Sequence, residues 1–400
     1  MTIFLTRVVL HNYKSIAACD VRLGALTYLV GPNGAGKSNF VDALGFVRDA
    51  LASSLDLALS ARWGLANLLH RRVGTAAYVG IRLEFHLPNG QSGDFAFTLE
   101  AGAHGGFEVA EEVCSVGDGP DQHAYRAKHG RLVTASEGVF PSLSADRLAL
   151  VSASGLPAFR PVYDALMGMG VFRFNLKALR ELQQPQNGRQ LKAGGENIVS
   201  VIGALKENAP DQFELVQRYL HAIVPTVHGF ARHLVGPMET VLFQQNDGIG
   251  PVGAQFYANS MSDGTLRVLG ALVALFNGDA IGRPSFVCIE EPETALHPAA
   301  FAAMREAIAR AAESTQVLVT SHSPDLLDDF AIAPESLLAV TSVDGATRIT
   351  PLEQGSRTAI KTRLFSAGEL LRLNQLAPEA GSFGSHDAPL PSLWEAAPIW

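Results

Sequence analysis

The sequence predicts an α/β fold: a mixed sheet flanked by helices, carrying an antiparallel β lobe and a helical insertion. Three observations lead there. Apolar strand-like runs at 26–30, 285–289 and 316–320 are each followed or separated by helix-periodic segments, the alternation that builds parallel sheets. Residues 78–87 alternate strictly, with Val79, Ile81, Leu83, Phe85 and Leu87 on one face, and end in the turn signal Pro88-Asn89-Gly90. The two α/β stretches, 1–60 and 260–345, are far apart, so the middle reads as an insertion into one discontinuous domain.

Taken in order, 3–10 reads as a strand with a turn at His11-Asn12, and 26–30 as a second strand. A helix over 38–51 puts Phe40, Val41, Leu44 and Val47 on one face. Strands at 94–99 and 107–114 continue an antiparallel meander, and 115–145 reads as loop-rich. From 145 to 225 the pattern is helical, with helices at 196–207 and 210–223 broken by Ala209-Pro210, and 181–195 as a connection. Strand-like runs return at 239–245 and 252–258. A helix over 263–276, a strand at 285–289, a helix over 298–312 and a strand at 316–320 close the pattern. The expected organisation is a head part with the β lobe at 1–114, an insertion at 115–238, a second head part at 239–345 and an extension at 346–400. The Ala-, Pro-, Gly- and Ser-rich end, 377–400, is expected to be flexible.

Composition narrows the function. At 400 residues and about 150 per domain, the prior is about 2.7 domains. Hydrophobic residues at 47% and charged residues at 18% exclude wholesale disorder. A net charge of −8 argues against holding nucleic acid by bulk charge; Arg62, Arg71 and Arg72 are the nearest thing to a basic cluster, and a solvated surface explains them as well. Cys19, Cys114 and Cys288 are far apart without a C-x-x-C pair, against a disulfide framework or zinc site. The start lacks a basic region followed by a long apolar core, and the most apolar run, 266–276, falls short of the ~20 residues that span a bilayer. These features suit a soluble cytoplasmic protein with no membrane partner.

Gly31-Pro32-Asn33-Gly34-Ala35-Gly36-Lys37-Ser38 fits the phosphate-loop pattern G-x-x-x-x-G-K-[ST], between a strand and a helix as that motif requires. Glycines let successive N–H groups curl round a phosphate, Lys37 reaches the β and γ phosphates, and Ser38 offers its hydroxyl to Mg²⁺. The strand Ser285-Phe286-Val287-Cys288-Ile289 ends in Glu290-Glu291-Pro292-Glu293. Ligands bind beyond the carboxyl ends of such strands, so Glu290 suits the Mg²⁺ and Glu291 the attacking water. An acidic turn before a helix is the plainer explanation of the acids taken alone. His322 ends the following strand, where a γ-phosphate sensor sits. Ser262-Asp263-Gly264 precedes an apolar helix: a cap, or an anion site serving nucleotide held by another subunit.

In order along the chain, Asn12-Tyr13-Lys14-Ser15, GPNGAGKS, SMSDGT, CIEEPETALHP and VTSHSP resemble the ABC-type ATPases of the RecF, SMC and OLD group, most of all their stand-alone prokaryotic AAA-labelled members. The resemblance covers 1–60 and 255–345, and the run 368–376 is similar to the tail of such ATPases. It implies a P-loop NTPase fold with an ABC-ATPase-type head, ATP and Mg²⁺ as ligands, and a homodimer in which two heads sandwich two nucleotides. By resemblance, Gly31, Asn33, Gly34, Gly36, Lys37 and Ser38 form Walker A. Glu290 takes the metal-side Walker B position and Glu291 the catalytic one. Ser262, Asp263 and Gly264 form the signature acting in trans. Leu296-His297-Pro298 takes the D-loop position and His322 the switch. Lys14 joins the nucleotide-binding set.

The sequence departs from the pattern in places. Glu290 stands where the family has Asp, the signature reads Ser-Asp-Gly, and no Q-loop glutamine can be placed. No long heptad run supports an SMC-like arm, and no acidic cluster after 345 suits a TOPRIM nuclease. The expected function is ATP hydrolysis by a dimer in DNA maintenance or anti-phage defence, with a separate effector encoded nearby, a nuclease or toxin. The alternative is an ATP-gated scaffold that controls a toxin by binding alone. A transporter ATPase is disfavoured by the insert, and a small GTPase by the lack of an Asn-Lys-x-Asp motif.

Overall fold

The computed structural model describes residues 4–70, 78–102, 105–245, 254–277, 284–294, 296–379 and 392–394. Along the chain the strands are β1 (Leu5–Tyr13), β2 (Ile16–Arg22), β3 (Leu26–Val30), β4 (Tyr78–His86), β5 (Ser92–Glu100), β6 (Glu108–Val116), β7 (His123–Lys128), β8 (Arg131–Ala135), β9 (Gly170–Phe172), β10 (Val227–Val235), β11 (Met238–Gln245), β12 (Ala254–Tyr257), β13 (Phe286–Glu290), β14 (Gln316–Ser321), β15 (Leu337–Val343) and β16 (Ala346–Pro351). The helices are α1 (Lys37–Ala52), α2 (Leu55–Ser60), α3 (Leu65–Leu68), α4 (Ala149–Ala153), α5 (Arg160–Met167), α6 (Leu176–Arg180), α7 (Ile198–Asn208), α8 (Pro210–Ile223), α9 (Asp263–Phe276), α10 (Phe301–Ala312), α11 (Gln354–Lys361) and α12 (Ala367–Arg372). Two compact units result. One comprises Met1–Met169, Ala333–Thr362 and Asn374–Trp400; the other comprises Gly170–Ile332 and Arg363–Leu373. The divisions between the units come at 169/170, 332/333, 362/363 and 373/374.

The first unit is built on an antiparallel sheet of order β2-β1-β4-β5-β6-β7-β8. Its centre is the alternating strand: Val79, Ile81, Leu83, Phe85 and Leu87 are all buried, and Phe97, opposite Ile81 on β5, meets Phe46 of α1 with ring centroids 6.4 Å apart. The opposite face of β4 is covered too. Leu393 lies on Gly80, where a Cβ would come 2.3 Å from its Cδ1, and the buried Arg82 donates to the Leu393 carbonyl at 3.2 Å. Beside this lobe, β3 pairs parallel with β15 and β15 antiparallel with β16, a mixed arrangement.

The structure departs from the sequence expectation at three places here. The turn expected at His11-Asn12 comes at Lys14-Ser15, because β1 is flanked by β2 and β4 and both residues are buried inside the sheet. Strand β2 was not anticipated. The loop-rich stretch 115–145 carries β7 and β8, which extend the sheet; β8 is exposed along its length and lacks the apolar pattern that betrays a strand.

In the second unit, β13 lies between β9 and β14, all three parallel, with Glu290 in register with Thr320. Its strands are continuous buried apolar runs, as expected for parallel strands covered on both faces. Helix α9 is buried from Gly264 to Phe276 except at Arg267, and packs on α6, α7, α8, α10, β9 and β13. A separate antiparallel sheet, β10-β11-β12, completes the unit. Among the described residues no helix is long and apolar enough to cross a membrane.

One buried acid ties the first unit together. Glu112 on β6, fully buried, accepts from the Tyr125 hydroxyl at 2.6 Å and from the N–H groups of Ala149 and Leu150 at 2.7 and 2.8 Å, joining β6, β7 and the start of α4. Burial pushes its carboxyl up from 4.5 to about 7, against the pull of these three donors. A raised carboxyl pKa favours folding at low pH. Its contribution is complete below about pH 4.5 and lost as pH rises through about 7. The shift corresponds to about 3 kcal/mol. Denaturant unfolding of wild type and Glu112→Gln at pH 5, 6, 7 and 8 tests this: the variant should lose that slope while being less stable at pH 5. Parallel curves would refute it.

Candidate functional site

The phosphate loop follows β3 in the first unit, and close packing holds its shape. A Cβ on Gly31 would come 2.0 Å from the Val340 carbonyl oxygen, and one on Gly36 would come 1.9 Å from Thr347 Oγ1. Gly36 also has φ 105°, and Gly34 has φ 80°, both left-handed. Thr347 donates to the Ala35 carbonyl at 2.8 Å and is 2.6 Å from Ser15 Oγ, which accepts from Asn39 Nδ2 at 2.6 Å. The loop is thus braced from β16 and from the β1–β2 turn. Asn33, Gly34 and Ser38 are exposed, while Lys37 is buried and its Nζ donates to the carbonyls of Gly31 at 2.7 Å and Pro32 at 3.1 Å. No side-chain hydrogen bond caps α1, a 16-residue helix, and the N–H groups of Asn39 and Phe40 in its first turn return to the Gly36 carbonyl at 3.0 and 3.2 Å.

Lys14 is engaged elsewhere. Its Nζ is 2.5 Å from Asp42 Oδ2, and Tyr13 Oη donates to the same oxygen at 2.7 Å. Arg62 Nε donates to Asp42 Oδ1 and its Nη2 to Asp49, each at 3.0 Å. Burial would raise the Asp42 carboxyl, but Arg62 and Lys14 outweigh it and hold the pKa below its ordinary value. Arg62 is therefore an internal ion-pair partner and neither a solvated arginine nor part of a basic face. Arg71 and Arg72 lie outside the described residues.

The second unit holds the acids. Glu290 ends β13, and Arg173, just after β9, binds one of its oxygens: Nε and Nη2 are 2.9 and 2.7 Å from Oε1. Glu291 has φ 45°, a left-handed conformation that costs a side-chain-bearing residue about 1–3 kcal/mol. Its N–H donates to the carbonyl and the hydroxyl of Thr320, at 3.0 and 3.2 Å. The chain thereby turns off β13 so that Glu291 Oε1 is 3.3 Å from Nδ1 of His322, which follows the neighbouring β14. Glu293 backs this pair. It is buried, accepts from Ser321 Oγ at 2.6 Å and the His322 N–H at 3.2 Å, and its Oε1 is 3.8 Å from His322 Nδ1. Burial pushes the Glu293 carboxyl up, opposed by Ser321 and His322. His297, in the D-loop stretch, is exposed.

Ser262 caps α9, its Oγ accepting from the Thr265 N–H at 3.2 Å. Ser262 and Asp263 are exposed and Gly264 is buried. Arg180 at the end of α6 ties this turn down, donating to Asp263 Oδ1 at 2.5 Å and to the Met261 carbonyl at 2.9 Å. Glu290, Glu291 and His322 are brought together within this unit, while Gly31, Asn33, Gly34, Gly36, Lys37 and Ser38 form one loop in the other. Ser38 and Glu290 are hard oxygen donors of the kind Mg²⁺ takes, and the guanidinium already on Glu290 shows that this carboxylate draws a cation. Thr347, Arg173, Arg180 and Asp42 were missed by sequence reasoning, since their partners are remote in the chain. Glu293 had a signal, being third in an acidic run.

Residues 26–112 and 179–328 match the family described as "AAA domain, putative AbiEii toxin, Type IV TA system". No curated protein matches the chain in sequence. Among solved structures, the chain is similar to an Smc head bound to the C-terminal winged-helix domain of ScpA. The TM-score is 0.55 at 16% identity, over 89% of this chain and 99% of that one. It is also similar to a Pyrococcus furiosus Smc head with an extended coiled coil bound to the C-terminal domain of ScpA, with TM-score 0.50 at 13% identity, over 90% and 99%. At such identities the likeness is one of fold, a mixed α/β P-loop NTPase like the SMC head. With the family model covering more than half of the chain, the protein belongs to this family of AAA domains.

Proposed function

We propose that the protein hydrolyses ATP as a dimer whose two heads close on nucleotide, in DNA maintenance or anti-phage defence, together with a separate nuclease or toxin. The observation that carries the hydrolytic part is the pairing of Glu291 with His322 at the ends of adjacent parallel strands. The N–H groups of the phosphate loop and of α1 bind the β and γ phosphates, and Lys37 neutralises them. Ser38 and Glu290 would hold Mg²⁺, which would supply positive charge to the phosphates. Glu291 orients the attacking water and accepts its proton, and His322 lies beside that carboxylate to sense the γ-phosphate. Ser262 and Asp263, exposed at the capped start of α9 with Gly264 buried beneath them, serve the nucleotide of the opposing head.

The family's description, which names a toxin and a type IV toxin–antitoxin system, supports an effector-linked role and also favours a second reading. In that reading, ATP binding alone gates a partner toxin, and turnover only resets the gate.

Lys37→Ala should abolish nucleotide binding and turnover. Glu291→Gln should bind ATP normally, hydrolyse it roughly a hundredfold to ten-thousandfold more slowly, and accumulate as the closed dimer. Phosphate-release assays with calorimetric ATP titration read both variants, and wild-type turnover in Glu291→Gln would refute the assignment. If Glu291→Gln retains full biological activity, the gating reading stands and hydrolysis is secondary. Ser262→Arg should still bind ATP as a monomer but fail to pair. Light scattering with and without ATP checks it, and a wild-type dimer fraction would remove the turn from the interface.

A further inference from the structure

The pairing of Arg173 with Glu290 is not explained by the fold. Strand β9 is already hydrogen-bonded to β13, with Phe172 opposite Ile289, so the ladder needs no ionic clamp at its end. The Arg173 backbone is fixed independently. Its N–H donates to the Ala193 carbonyl at 3.0 Å, Asn175 N–H donates to the Gly194 carbonyl at 2.9 Å, and the rings of its chain neighbours Phe172 and Phe174 stack on each other with centroids 5.8 Å apart. Phe174 in turn packs on Gly270 of α9. Only the Arg173 side chain is left outside, 65% exposed, while Glu290 is 12% exposed. Both guanidinium contacts converge on one carboxylate oxygen. A cation on a fixed backbone, mostly in water, thus neutralises a mostly buried acid, and it can leave without itself being desolvated, provided another cation takes its place on the acid.

Resting on the ATPase reading above, we propose that Arg173 is the resting counter-cation of Glu290, and that Mg²⁺ arriving with nucleotide displaces it. An oxygen that accepts two guanidinium N–H bonds has to give them up before it can face Mg²⁺, which demands near-octahedral geometry. Arg173 therefore keeps Glu290 compensated while no metal is present and sets a threshold against metal. In this role it is a positioning residue, acting through Glu290.

The test follows binding of a fluorescent ADP analogue to the full chain as Mg²⁺ is raised, in wild type, Arg173→Gln, Arg173→Lys, Glu290→Gln and the double variant Arg173→Gln/Glu290→Gln. Arg173→Gln should lower the Mg²⁺ concentration at half-saturation roughly two- to fivefold, the range an exposed ion pair allows. Arg173→Lys should fall between it and wild type. With Glu290→Gln, substitution at 173 should shift nothing. The melting temperature of Arg173→Gln should fall without Mg²⁺ and recover when Mg²⁺ and nucleotide are added, whereas a structural clamp would lower it under both conditions and leave the Mg²⁺ midpoint in place. An unchanged or raised midpoint in Arg173→Gln overturns the proposal while leaving the ATPase reading intact. Failure of wild type to bind any nucleotide overturns that reading, and the proposal with it.

Discussion

A phosphate cradle needs backbone N–H groups that are held still and left uncommitted, and the first unit is arranged around that requirement. Holding a loop still ordinarily means hydrogen-bonding it, which consumes the very donors a phosphate needs. Here the bracing acts on the other side. Thr347 donates to the Ala35 carbonyl, Lys37 donates to the Gly31 and Pro32 carbonyls, and Val340 and Thr347 press against glycines 31 and 36 where any side chain would clash. The loop is gripped through its acceptors and by shape, so this bracing does not itself draw on the N–H groups a phosphate would need. That grip requires β15 and β16 to lie against residues more than 300 positions earlier, as in the β3–β15 pairing. The discontinuous chain path of this unit is thus part of how the cradle is made.

The second unit solves a related problem for charge. Glu290, Glu291 and Glu293 crowd one strand end, where like charges repel and burial penalises ionisation. Each acid has its own neighbour. Glu290 has Arg173; Glu293 has Ser321 and the His322 N–H on its Oε1; Glu291 Oε1 lies 3.3 Å from His322 Nδ1. The left-handed turn at Glu291 keeps these assignments separate, sending successive carboxylates in different directions. A chain continuing in extended conformation would place alternate acids on one face, and the His322 pairing would be lost.

What was legible in the sequence was local. The phosphate loop, the acid-tipped strand and the helix starting at Ser262 are contiguous patterns whose chemistry depends on neighbours in sequence, and their elements are observed within a residue or two. The elements not anticipated have physical reasons to be silent. Strand β9 has three residues, too few to show a period, and β8 is exposed on both faces. β2, with Ala17, Ala18 and Asp20, lacks the apolar alternation of a strand and is held by pairing to β1. The supporting residues were hidden for another reason. Arg173 and Glu290, Gly36 and Thr347, and Arg180 and Asp263 meet only after the chain has folded, and a single sequence gives no measure of such pairings. Lys14 is a further case: its four-residue run carries no sign of Asp42, 28 residues on, where its ammonium lies.

The same pairing logic bears on the net charge of −8. Many of the cations that a count would offer to a polyanion are already engaged. Arg7 is on Asp20 and Glu84, Arg62 on Asp42 and Asp49, Arg232 on the buried Glu239, Arg305 on Asp329, and Arg372 on Asp325 and Asp328. Drawing one of them to a phosphate backbone would leave a carboxylate uncompensated, most severely at the fully buried Glu239. Counterion release on DNA requires cations that are loosely held. The charge distribution therefore separates the roles of the two kinds of phosphate. On the function proposed above, a nucleotide would be met by backbone donors and one buried lysine, which the fold supplies regardless of net charge. A nucleic acid would have to be met by a partner, or by a surface that this ion-pair network does not include.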